Sequence, residues 1–215
     1  MANIKIDART SELESSVVYK SFDKALEQLS KNDFEVISLS QNAELRIKEG
    51  KDSYVSQNGN RVREGVIYRP NENNQILLAR NSPLLDLKLA SRAVSAHRAG
   101  SEYHISEELA RQYSNKSSQS PDAEVFHLDN LEPIIVEKFD KDPRARWLFQ
   151  SQTEAYKELL EEAKIKEMNL YFNDKDYINS QKGPYANQLW LHGLDCGGRS
   201  VLDGGGWDLG FDDSV

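Results

Sequence analysis

Two runs of strand-forming residues, Val62 to Arg69 and Ile76 to Arg80, are separated only by the polar turn Pro70 to Gln75. A connection that short joins neighbours antiparallel, because a parallel crossover needs about a dozen residues or more. The first third of the chain therefore reads as an antiparallel meander, which fits an α+β fold better than a regular series of strand–helix–strand units. Asn58-Gly59 just ahead carries a hairpin-type turn signal, since both residue types tolerate positive φ.

Helical signals are interspersed. Ser21 reads as an N-cap ahead of Phe22, Ala25, Leu26 and Leu29, one face of an amphipathic helix ending near Asn32. Phe34, Val36, Ile37 and Leu39 read as a strand, and Ile4 and Ile6 as a shorter one. Between Ser40 and Gly50 the apolar residues alternate as in a strand, but Ser40 as cap and Gly50 as terminator favour a short helix. Ser82-Pro83 starts a helix that runs to Gly100 over a buried stripe of Leu85, Leu89, Ala93 and Ala96. Glu107-Glu108 opens another, and the Ser-rich stretch from Asn115 to Ala123 reads as a mobile loop. Asp142-Pro143 starts the strongest helix, with Ala145, Leu148, Phe149, Tyr156, Leu159, Leu160 and Ala163 on one side. Val125–Leu128, Ile134–Phe139, Leu170–Phe172 and Gln188–Leu194 complete the strands. The pattern predicts an α+β fold, a mainly antiparallel sheet of about five strands with helices 82–99 and 142–167 packed on it.

A chain of 215 residues suits one domain, placed at residues 1–195. Residues 196–215 read as a Gly/Asp-rich C-terminal arm docked on the body. The net charge is −8, and Arg199 against Asp195, Asp203, Asp208, Asp212 and Asp213 puts half of it in that tail and its approach. The apolar stretches, such as Ile134 to Val136, fall far short of the roughly 20 residues of a membrane span. The polar first ten residues do not resemble a secretory signal, and the single Cys196 excludes an internal disulfide. A soluble, cytoplasmic protein is expected.

Three segments carry chemistry. His192, Asp195, Cys196 and Arg199 leave a strand for a glycine-rich turn, and together supply the parts of a Cys–His nucleophile pair with an anion anchor. Against this, His192 shares a strand face with Trp190 and Leu194, which suits a packed core residue. Asp203, Asp208 and Asp212, spaced by glycines, form a set that a divalent cation such as calcium or magnesium can use, although the spacing is not that of an EF-hand. Trp207, Leu209 and Phe211 at alternate positions instead suit a docked arm that reaches a protein partner or a second copy of the chain. Arg80, Lys88, Arg92, His97 and Arg98 make a basic helix, but it lacks the aromatics that stack on bases, and an acidic chain argues against nucleic acid. No complete catalytic motif is present, so the first expectation is a non-catalytic binding or protein-interaction module. A hydrolase centred on residues 192–203 is second, and a nucleic-acid-associated protein using residues 80–98 is third.

Overall fold

The computed structural model describes residues 5–7, 15–72, 74–117, 121–194, 199–205 and 213–214. Strand β1 (Lys5–Asp7) pairs antiparallel with β2 (Ser15–Val17), and β3 (Tyr19–Lys20) follows. Helix α1 (Phe22–Lys31) buries Phe22, Ala25, Leu26 and Leu29, the stripe read from the sequence. Ser21 stands at its N-cap, but its hydroxyl donates to Asp23 (2.8 Å) and makes no cap bond to the helix.

Phe34 to Leu39 is not a strand. Ile37 O accepts one bond from the Arg63 N–H (2.8 Å), and Ser38 already begins α2 (Leu39–Glu49). The cap is Ser38, two residues earlier than expected, because Gln41 closes a reciprocal capping box with it. Helix α3 (Tyr54–Gln57) leads into β4 (Asn60–Tyr68) with no hairpin at Asn58-Gly59. Gly59 is needed for a different reason: a β-carbon there would run into the Trp190 indole. Strands β4 and β5 (Gln75–Ala79) form the anticipated meander, and a 3₁₀ turn at Pro83–Leu85 precedes α4 (Leu87–Arg98). The helix read from residue 82 thus starts at Leu87, capped by Asp86, and it buries Ala90, Ala93 and Val94 while Leu85 and Leu89 are half-buried.

Helix α5 (Glu107–Ser117) and strands β6 (Ala123–His127) and β7 (Ile134–Ile135) come next, then a 3₁₀ segment at Val136–Lys141 where a longer strand was expected. The helix expected over 142–167 is two, α6 (Pro143–Phe149) and α7 (Thr153–Glu162), broken at Gln150 with φ 52° and ψ −125°. In one continuous helix, Phe149 and Tyr156 would be separated by about 10 Å of rise. The break instead stacks their rings at 4.6 Å, beside Phe139. Strand β8 (Glu167–Tyr171), helix α8 (Lys175–Ser180) and strands β9 (Tyr185–Leu191), β10 (Ser200–Asp203) and β11 (Asp213–Ser214) complete the chain. β11 pairs antiparallel with β3.

The main sheet has seven strands among the described residues, in the order β6-β5-β4-β9-β10-β8-β7. It is mixed, since β10 runs parallel to β8 while the other neighbours are antiparallel. The α+β class holds, while the strand number and the parallel pair differ from expectation. β10 is an inner strand, so residues 200–203 belong to the sheet and not to an arm beginning at residue 196. One face of the sheet (Val66, Leu78, Leu189, Leu191, Leu202) closes on Leu39, Ala43, Leu148, Phe149 and Leu160 from α2, α6 and α7. The other is covered at the meander, where Ile67, Leu77 and Ala186 meet Ala25, Leu26, Ala90 and Val94 of α1 and α4.

Between the Arg61–Trp190 and Gly65–Gln188 pairs, β4 takes four positions where β9 takes two. The Gln188 amide fills this bulge by donating to Val62 O and to Glu64 O (3.0 Å). Glu64 inside it is fully buried and accepts from the first amide of α2, Leu39 N–H, at 2.8 Å.

Candidate functional site

Beyond the helices, the second face of the sheet continues over β9, β10 and β8. Alternation puts Trp190 and His192, Val201 and Asp203, and Asn169 and Tyr171 on this side, opposite the core residues Leu191, Leu202 and Leu170. The register aligns Arg61, Trp190, Asp203 and Tyr171 in one row across four strands. Tyr171 is 50% exposed at its end.

The Trp190 and His192 rings stack at 5.1 Å, and the Arg61 guanidinium stands 5.1 Å from the Trp190 ring centre. His192 Nε2 is 3.7 Å from Asp203 Oδ2, while Asp203 Oδ1 accepts from the Gly205 N–H at 2.6 Å. Burial pushes the Asp203 carboxyl toward its neutral form. The His192 ring, the Gly205 amide and the charges of His192 and Arg61 outweigh it and hold the group below the ordinary carboxylate value. Trp190 Nε1, His192 Nε2 and Asn169 Nδ2 are buried atoms without a hydrogen-bond partner.

The face is braced from below. Arg46 of α2 is fully buried and donates to Leu191 O (3.3 Å), His192 O (2.9 Å), Asn58 O (3.2 Å) and the Tyr156 hydroxyl (3.3 Å). It thereby fixes both the end of β9 and the turn that carries Gly59 under Trp190. At the end of β10, Gly204 O accepts from the Tyr68 hydroxyl (3.0 Å) and from Asn187 Nδ2 (3.1 Å). Only glycine fits there, because a β-carbon would come within 2.7 Å of the Phe172 ring.

Of the residues singled out from the sequence, His192 and Asp203 come together on this face, and Arg199 lies toward its other end, 3.6 Å from Glu167. Asp195, Cys196, Asp208 and Asp212 lie outside the described residues, as do Trp207, Leu209 and Phe211. Among the described residues no three His, Cys, Asp or Glu side chains converge as a metal ion requires. His192 is not a core residue, because its face of β9 is the one opposite the leucines. The basic helix also dissolves. Arg80 precedes α4 and lies over the Trp147 ring at 3.8 Å, and the His97 ring turns to Glu102 at 3.6 Å, leaving Lys88, Arg92 and Arg98 on the exposed side. Reading the strand missed Arg61, Asn169, Tyr171 and the outward role of Trp190. The available signal was the large or polar series Gln188, Trp190, His192 interleaved with Leu189 and Leu191.

No protein-family model matches this chain, and no curated protein matches it. A solved structure described as "Accommodation of massive sequence variation in Nanoarchaeota by the C-type lectin fold" is similar to it over 98% of this chain and 97% of that one. The TM-score is 0.65 at 15% sequence identity. The architecture is thus that of the C-type lectin fold, and at this identity the likeness concerns the fold alone. No described helix is long and apolar enough to cross a membrane.

Proposed function

We propose that this chain is a non-catalytic binding module that presents the face of β8, β9 and β10 to a protein partner. The observation that carries this reading is the row Arg61–Trp190–Asp203–Tyr171, which ends on the exposed Tyr171 ring and has the His192 ring stacked on Trp190. Tryptophan and tyrosine are among the types that anchor protein interfaces, and Tyr171 is exposed at the end of the row while the buried Arg61 braces Trp190 from the other side. The neighbouring structure is described as a lectin fold that accommodates massive sequence variation. The layout here supports a separation of recognition from folding: side chains at 169, 171, 190, 192 and 203 project away from the main core, so their identities can change while the leucines beneath hold the sheet.

The test compares Tyr171→Ala and His192→Ala with Arg92→Glu on the exposed side of α4. A partner captured by the wild-type chain is purified and titrated against each variant, and light scattering reports whether the partner is a second copy. The expected result is at least about a tenfold loss of affinity in the face variants, with α4 silent and thermal midpoints preserved. Equal affinity in all variants, or equal loss in the α4 variant, refutes the reading.

A further inference from the structure

A second site lies away from that face, where the N-terminus of α2 meets the bulge of β4. A cavity of about 310 Å³ opens there, with Ser38, Gln41, Arg63, Glu64, Arg80 and Gln150 among its lining residues. This is near the lower end of the volumes that hold small molecules. Its lining residues are all polar, whereas most ligand pockets are largely apolar.

Glu64 shapes the chemistry. The residue has no exposed surface, and its Oε2 is engaged by Leu39 N–H, but its Oε1 is buried with no hydrogen-bond partner. The nearest cation, Arg80 Nη1, is 3.7 Å from Oε1, too far for a hydrogen bond. Arg80 is committed elsewhere, donating to Leu148 O (3.3 Å) and Trp147 O. Arg63 uses Nε on Val36 O (3.0 Å) and Nη2 on Glu35 (2.9 Å), which leaves Nη1 for another acceptor. Gln150, also lining the cavity, holds a positive φ of 52°, backbone strain of a kind found at ligand sites.

A ligand of a single charge sign is poorly served here. An anion meets the Glu64 carboxylate, and a cation meets two guanidinium groups. We propose that the cavity binds a small zwitterion, a free α-amino acid, whose ammonium donates to Glu64 Oε1 and whose carboxylate accepts from Arg63 Nη1 and lies in the field of Arg80. The inference does not depend on the partner face, since neither site includes a side chain of the other.

The test is isothermal titration of the full chain with the twenty common L-amino acids, and with methylamine and acetate as the two single-sign halves of glycine. At least one amino acid binds with one-to-one stoichiometry, and each half binds at least about tenfold more weakly. Glu64→Gln keeps an acceptor for Leu39 N–H but loses the charge, and it lowers amino-acid affinity about 10- to 100-fold. Arg63→Gln, on a half-exposed side chain, gives a loss of similar direction with the fold unperturbed by circular dichroism, so the result stands even if the Glu64 variant misfolds. Absence of binding by every amino acid overturns the proposal. So does undiminished binding by Arg63→Gln together with a folded Glu64→Gln, or binding of acetate or methylamine as tight as that of the amino acid.

Discussion

A carboxyl group with no access to water gives up its proton later than one in the unfolded chain. Burial pushes Glu64 from the ordinary 4.5 up to about 7, against the opposing pull of the Leu39 amide and of Arg80 and Arg63. Between those two values the folded protein keeps a proton that the unfolded chain has lost, so rising pH favours unfolding. The loss of stability, complete above about 7, is about 3 kcal/mol, and Glu64→Gln removes it. Denaturant unfolding of both proteins on either side of that window checks this, and parallel pH profiles for wild type and variant would contradict it. Arg46→Met leaves four acceptors unmatched and costs on the order of 3–5 kcal/mol, and Gly59→Ala costs about 1–3 kcal/mol through the Trp190 clash, each read from the unfolding midpoint. Neither Glu64 nor Arg46 was legible in the sequence. Charged types are rarely fully buried, and the bulge that turns Glu64 inward and the carbonyls that receive Arg46 come from distant segments.

At the level of elements, local chemistry was legible and tertiary choice was not. Ser82-Pro83 and Asp142-Pro143 mark real starts of helical turns, and the meander follows from its short polar connection. The break between α6 and α7 was hidden because Phe149 and Tyr156 both satisfy a continuous helical stripe, and only ring stacking in the core prefers them bent together. Gln150→Gly at that break raises stability by about 1 kcal/mol, since glycine relieves the positive φ at a smaller entropic cost. A lower thermal midpoint for this variant would show that the Gln150 side chain contributes more than the strain removes. Strand β10, four residues long, was too short to stand out by alternation, whereas β7 lies at the start of the strand read over Ile134–Phe139, which is extended only at its first two residues. The candidate face was legible in part, through His192 and Asp203, because both stand in composition-biased segments. Tyr171 and Asn169 join it only by sheet register.

For the whole molecule, the α+β class was within reach of pattern reading, but the lectin architecture was not, since the similar structure shares 15% of its residues. A chain ending at Asp195 is expected to lose its cooperative unfolding transition, because it lacks the strand joining β9 to β8 and β7. A sharp, wild-type-like melt of that truncation would show the sheet to be self-sufficient without β10. The same topology bears on how the native state is reached. β10 is translated after both strands it separates, so β8 and β9 cannot settle as each other's neighbours without excluding it. The meander of β4 and β5 can zip locally and early, while the centre of the sheet waits for a segment that must thread between two partners. Until then, those two partners carry unpaired edges, and this interval is when an incomplete chain is most prone to join its neighbours in the wrong order.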